Sequence, residues 1–392
     1  MDFELSSWPK DDSLWVLRVL CIDFFQLKLV KTTVVLFLMC NALFIFVQTC
    51  LFLRSFEIDY FAIYAPYYFG SFYMILSLAQ TILATHLNGD ALNAVQLWKI
   101  QGVDKENTEH IKMEIRITTI YAIVNGIFAL LAGIAHMVPS ENIKKMCFPL
   151  AIIKTYIPYW KDELCFLYMT GYILIALAMV ANCNQVVYTT CHFRIQIYIV
   201  KSVMKKLLSV KTKNSKDISN MLRTKEFQKD IKTKMVFIIK RINRIIKEGV
   251  KVNKQMSIYV MLFAVCGCLL GMGALLFFLV ALKLHFEFGI NEYLHNGTVV
   301  LAGLSTFAAV IISGQKSEDI MEEVRIMWAS FPWYVLNYEN SKIYLMFLGT
   351  LTRSYKIRFT EEVSINYRLG VAIARTLFSM LSVFLQLIKL DR

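Results

Sequence analysis

The stretch VSINYRLGVAIARTLFSMLSVFLQLIKL, residues 363–390, decides the fold. It is almost wholly apolar and about the length that crosses a bilayer core of roughly 30 Å. At helical spacing, Thr376, Ser379, Val383, Gln386 or Leu387, and Leu390 share one face, and Ala374, Leu377, Phe378, Leu381 and Leu385 make an apolar opposite face. A spanning helix turns such a narrow polar stripe toward other helices or water rather than lipid. Ser and Thr also bond packed helices together, so spacing leaves two readings open: ordinary helix contact and a pore wall.

Composition extends the membrane reading to the whole chain. A soluble protein needs polar residues to cover its outside, yet these 392 residues are 57% hydrophobic and 18% charged, with mean hydropathy +0.52. Several apolar runs approach or exceed about 18 residues, so the expected class is all-α, a polytopic helical membrane protein. The alternating segments of an outer-membrane barrel are missing. The nine Cys are scattered. Cys266 and Cys268 read as small residues within a span rather than metal ligands, and Cys147 and Cys165 are a candidate pair outside the cell. Met1 to Trp15 lacks the basic-then-apolar pattern of a cleaved signal peptide.

Seven spans are expected, roughly 33–53, 64–85, 117–138, 164–188, 257–282, 297–314 and 364–388. Gly267, Gly271 and Gly273 in the fifth allow close helix approach, and the sixth, Thr298 to Ser313, is the shortest. Lys and Arg near span ends set the orientation. Segment 189–255 holds eighteen basic and four acidic residues, an excess of fourteen against +13 for the whole chain. Between two spans this tract reads as a cytoplasmic signal in contact with anionic lipid headgroups, not as a nucleic-acid site. The N-terminus is then inside, in agreement with Lys28 and Lys31, and the C-terminus outside. The outer loop 283–297 carries the single Asn-x-Ser/Thr pattern, Asn296-Gly297-Thr298. Lys144, Lys145, Lys154 and Lys161, in another outer loop, run against the rule.

Apolar residues keep helical spacing past span four (Ile195, Ile199, Val203, Leu207) and before span five (Ile231, Met235, Ile238, Ile242, Ile245, Ile246). Both spans should therefore extend into the cytoplasm, with 209–222 as the loop between them. Their expected partner is the cytoplasmic segment 315–362: Gln315 to Trp328 is amphipathic, Phe331-Pro332-Trp333 breaks it, and Ser341 to Leu351 is helical again. So much amphipathic surface outside lipid needs partners, which makes this segment an expected inter-subunit anchor. The division is 1–314 for six spans with their extensions, 315–362 for the anchor, and 363–392 for the last helix with a short outer tail.

Gly314-Gln315-Lys316-Ser317, then Trp328 to Trp333-Tyr334, then Leu351-Thr352-Arg353-Ser354-Tyr355-Lys356, then Leu385-Gln386-Leu387 resemble the C-terminal signature of the insect odorant receptors. Length, span count and inverted topology fit the same family. The related gustatory receptors carry Thr-Tyr-x5-Gln-Phe in the last helix, where this chain has Ser379-Met380-x5-Gln386-Leu387. The compact 209–222 connection resembles an odour-tuning subunit rather than the longer co-receptor. G-protein-coupled receptors run the other way, and their acidic-Arg-Tyr and Asn-Pro marks are absent.

The resemblance implies a subunit of a tetrameric, odorant-gated, non-selective cation channel in the plasma membrane of olfactory neuron dendrites. It implies assembly with the odorant receptor co-receptor into a heterotetramer, through the anchor, around a pore lined by the last helix. Aligned through Gln386, the gate falls on Val383 and Leu387, apolar as dewetting requires, and Thr376, Ser379 and Gln386 become pore-lining. A small volatile would bind in the outer half of the bundle. Side and spacing select Phe69, Phe72 and Tyr73 on span two, Leu130, Gly133 and Met137 on span three, Met169, Tyr172 and Ile173 on span four, and Val300 and Leu304 on span six. His136 is the nearby hydrogen-bonding side chain. Enzyme chemistry and cofactors are not expected: His86, Asp90 and Glu163 lie at span ends without ligand spacing. The internal repeat of a transporter is not found.

Overall fold

The computed structural model describes residues 10–54, 58–137, 147–208, 224–283, 290–352 and 363–390, and the elements among them are helices. A bent N-terminal run, α1 (Trp15–Arg18) and α2 (Phe24–Gln26) joined by a π-helical turn, leads into α3 (Lys28–Arg54), α4 (Ile58–Val95), α5 (Lys105–Met137) and α6 (Phe148–Tyr156). Then come α7 (Lys161–Leu208), α8 (Lys225–Lys283), α9 (Ile290–Ala329), α10 (Tyr338–Thr352) and α11 (Tyr367–Leu390). Among the described residues, five helices (α3, α4, α5, α7 and α9) are long and apolar enough to cross a membrane. The stretches 257–282 and 367–388 lie in α8 and α11 as unbroken helix. The expected loop 209–222 and the Arg353-to-Lys356 motif lie outside the described residues, as do the side chains of Leu387 and Asn296. Cys147 and Cys165, the candidate pair, are not joined by a disulfide.

α7 organises the bundle, touching α4, α5, α8 and α9 along its 48 residues. The expected helical extensions past the fourth and before the fifth apolar stretch are present. Ile195, Ile199, Val203 and Leu207 of α7 and Ile231, Met235, Ile238, Ile242 and Ile245 of α8 are all buried. They share one core with Val324 and Trp328 of α9 and with Tyr344, Phe347 and Leu351 of α10. Each such side chain contributes about 1.5–3 kcal/mol when fully covered, which is why these faces hold together below the apolar spans.

Three boundaries differ from expectation, each for a local reason. The helix that carries span six does not stop near Ser313. α9 runs for 40 residues through the change from apolar to charged sequence at Gln315, because that change alters the surroundings and not the helical preference of the backbone. The boundary drawn at 314/315 therefore falls inside one helix, which ends at Ala329 ahead of Pro332. α10 starts at Tyr338, three residues before Ser341, because Asn337 Oδ1 caps it by accepting from Asn340 N at 2.9 Å. α11 starts at Tyr367 rather than Ser364, because Asn366 Oδ1 accepts from Leu369 N at 3.3 Å and leaves 363–366 as a hook below the helix. Asp104 caps α5 in the same way. Burial opposes its charge, but bonds with Ser202 and Asn107 and the nearby Lys205 ammonium hold its carboxyl well below the usual range.

Candidate functional site

α11 rests on α8 and α9. Its contact side is marked by two residues two turns apart. Leu377 Cδ2 lies 3.7 Å from where Gly271 of α8 would carry a Cβ, and Gly370 brings its own Cβ position to 3.3 Å from Ile311 of α9. At about 100° per residue, Thr376, Ser379, Val383 and Gln386 lie on the reverse side. All four are exposed in the single chain, Val383 by 53%. Leu387 belongs to the same stripe by register. The Thr376 hydroxyl donates to its own helix at Ala372 O, 3.0 Å, which leaves its oxygen lone pairs facing outward. Repeated about an axis, such a stripe would present hydroxyls and an amide around an apolar ring.

In the half of the bundle expected to lie outermost, α5 and α7 meet backbone to backbone. A Cβ on Gly133 would stand 2.7 Å from Ile173 Cα. Beside this contact Tyr172 stacks on His136, with centroids 4.9 Å apart and planes at 13°. The Tyr172 hydroxyl lies 3.8 Å from Cys147 Sγ. Met169 is buried with Cys147, Leu150, Ile153 and Tyr168, so the short helix α6 folds over this end. Tyr168 reaches α3, donating to Asn41 Oδ1 at 2.8 Å.

The remaining expected ligand residues are distributed differently. Phe69 and Phe72 join Tyr68 in an aromatic cluster on α4, with Tyr68 bonded to Thr49 of α3 at 2.7 Å. Tyr73 and Met137 are half-buried. Leu130, Val300 and Leu304 are turned outward, 41%, 55% and 60% exposed. The residues brought together are thus Gly133, Met169, Tyr172 and Ile173. Tyr168 and Cys147 were not among the expected residues. The i, i+4 spacing of Tyr168 and Tyr172 was readable, but nothing in sequence brings Cys147 and α6 onto them. A cleft of about 420 Å³ lies at the other end of the bundle, between Asp12, Trp98, Lys99, His192 and Gln196. There burial disfavours the Asp12 carboxylate, but His192, the Tyr188 hydroxyl and the Leu14 N–H outweigh it and lower its pKa.

Between the outer bundle and α11 runs a chain of buried polar contacts on α9. Tyr121 donates to Asn184 Oδ1 at 2.8 Å, and Ser305 donates to Asn125 Oδ1 at 2.7 Å, tying α5, α7 and α9. Two turns further along α9, Arg194 Nη1 donates to Ser313 Oγ at 2.9 Å while its Nε holds Glu114 of α5. The next residue, Gly314, faces the hook below α11. A Cβ there would overlap the Ile365 carbonyl. Gln315 Oε1 accepts from Tyr367 N at 3.3 Å, and Asn366 donates to Glu318 at 3.4 Å. One segment of α9, residues 311–318, therefore holds the bundle on one side and the base of α11 on the other.

No protein-family model and no curated protein matches this sequence. Solved structures do match it in shape. The insect olfactory receptor OR5 from Machilis hrabei in complex with eugenol superposes with a TM-score of 0.68 at 11% identity, over 96% of this chain and 97% of that one. A second structure of OR5 from Machilis hrabei gives 0.67 at 12% identity over the same shares. The chain is thus similar in fold, over nearly its whole length, to these olfactory receptor structures.

Proposed function

We propose that this chain is an odour-tuning subunit of the insect odorant receptor family, a ligand-gated, non-selective cation channel of the plasma membrane. The observation that carries the reading is the shared fold, which covers 96% of this chain. Seven spans run with the N-terminus inside. Four subunits, this one together with the co-receptor, join through 315–362, and α11 of each lines a central pore. The exposed stripe on the far side of α11 from Gly271 and Ile311 supports this role. Val383 and Leu387 form the gate, with Thr376, Ser379 and Gln386 along the wall.

The OR5 receptor is solved with eugenol. For this chain a small volatile is proposed to enter the outer bundle where Gly133, Met169, Tyr172 and Ile173 come together, with Phe69, Phe72, Tyr73 and Met137 as weaker contributors, while Leu130, Val300 and Leu304, turned outward, would face lipid or another subunit. Ligand favours the open arrangement by binding it more tightly, and residues 311–318 of α9 pass the change to α11. The test is whole-cell current under a panel of volatiles, with and without the co-receptor. A fast cation current that needs both chains, and persists when G-protein signalling is blocked, supports the reading. A response that disappears with that block points to a G-protein-coupled receptor.

A further inference from the structure

We infer that a basic row on α8 is a docking site for anionic phospholipid headgroups, on the leaflet nearest the Lys-rich segment. Lys240, Arg244, Lys247, Lys251 and Lys254 are all exposed. At about 100° per residue they fall within roughly 40° of one line. The line continues into apolar residues. Ile258, Met261, Leu262 and Val265 are 56%, 44%, 39% and 52% exposed on the same side. The buried residues Ile231, Met235, Ile238, Ile242 and Ile245 occupy the reverse side, as does Gly271, which meets Leu377. The row thus faces away from both the core and α11.

A helix face that changes from cationic to apolar between Lys254 and Ile258 marks the edge of the hydrocarbon layer. At about 1.5 Å per residue, Lys254 and Lys251 stand roughly 6 and 10 Å below Ile258, at headgroup depth. Lys247 follows within about two Debye lengths. Lysine stems lie along apolar surface while their ammonium groups reach phosphate. Glu248 is half-buried and set off the row, and Arg244 is partly engaged, donating to Gln96 Oε1 at 2.6 Å. A soluble anion would have no use for the apolar continuation. A phospholipid satisfies both halves of the stripe at once. The inference needs α8 to span the bilayer, as proposed above, but not odorant gating.

The test uses the full chain, co-expressed with its co-receptor and purified from membranes. The complex is supplied with equal phosphatidylserine and phosphatidylcholine and then progressively delipidated, and native mass spectrometry counts the retained lipid by class. The wild type is expected to keep phosphatidylserine preferentially. The triple change Lys247→Gln, Lys251→Gln and Lys254→Gln is expected to lower that retention at least tenfold, since each lysine near an anionic surface is worth about fivefold. Lys→Arg at the same positions should preserve it. Lys225→Gln, Lys229→Gln and Lys232→Gln, an equal charge loss deeper in the cytoplasm, should leave it unchanged. Absence of a class preference in the wild type overturns the proposal even if the variants fail to fold. Equal retention by the triple variant overturns it as well, and would assign the row to another subunit. A silent current assay with intact phosphatidylserine retention would reject the channel reading alone.

Discussion

Arg194 on α7 and Glu114 on α5 form an ion pair at 2.8 Å, with only 3% and 6% of their side chains accessible. Removing one member of a buried pair leaves an uncompensated charge and costs about 3–5 kcal/mol. Arg194→Met should cost more than Glu114→Gln, because Arg194 also holds Ser313 and Ser317 of α9, whereas Gln keeps an acceptor. Replacing both, Glu114→Gln with Arg194→Met, should recover part of the loss. Thermal unfolding in detergent of the four proteins measures this. Full additivity of the single changes would show that the two side chains are not coupled.

Two glycines separate close approach from helical preference. Gly314→Ala drives a Cβ into the Ile365 carbonyl, which is backbone and has little room to yield. We expect destabilisation of about 1–3 kcal/mol and a displaced base of α11, read as a lower midpoint of unfolding and altered resting current. Gly349→Ala on α10 meets nothing within 4 Å, and should stabilise by about 0.5–1 kcal/mol through helix propensity. An equal response to both changes would remove the Gly314 contact from the account.

At the proposed gate, shortening Val383 and Leu387 together to Ala should raise the current recorded without odorant, because a wider, less apolar ring dewets less readily. Phe378→Ala, at an exposed position on the opposite side, should leave resting current unchanged at matched surface expression. If Phe378→Ala opens the channel and the double change does not, the stripe has been assigned to the wrong side.

In the outer bundle, Tyr172→Ala removes a ring stacked on His136 and should shift the odorant dose response by tenfold or more. Phe72→Ala and Tyr73→Ala should shift it less. Val300→Ala and Leu304→Ala, at outward-facing positions, should have the weakest effect. Dose-response curves with surface labelling check the order. The reverse ranking would place the ligand between subunits or against lipid.

Much of the helical framework was legible in the sequence because apolar spacing and charge are local signals. The extensions of α7 and α8 beyond their apolar stretches were readable as isoleucine rows, and every one of Ile195, Ile199, Ile238 and Ile242 is buried. Helix ends were less legible. Asn337 and Asn366 act as caps only through side-chain geometry, and a change to charged residues at Gln315 looks like a boundary although the backbone continues. The candidate ligand site was legible only in part. Spacing placed Tyr172 and Ile173 on one helix, but the approach of Gly133 and the arrival of α6 with Cys147 depend on contacts between distant segments. The facing of Val300 and Leu304 depends on how α9 is rotated, which its nearly uniform apolar outer half does not specify.

The continuity of α9 has a consequence for how this chain tolerates change. Ser305, Ser313, Gly314 and Glu318 meet their partners from one uninterrupted helix. Inserting a single residue between Thr306 and Ile311 would turn everything beyond it by about 100°. Ser313 would leave Arg194, Gly314 would leave Ile365, and Glu318 would leave Asn366, all in one step. Exchange of side chains along this helix is a graded perturbation. A change of its length is an all-or-none one, and deletions face the same arithmetic with the opposite sign.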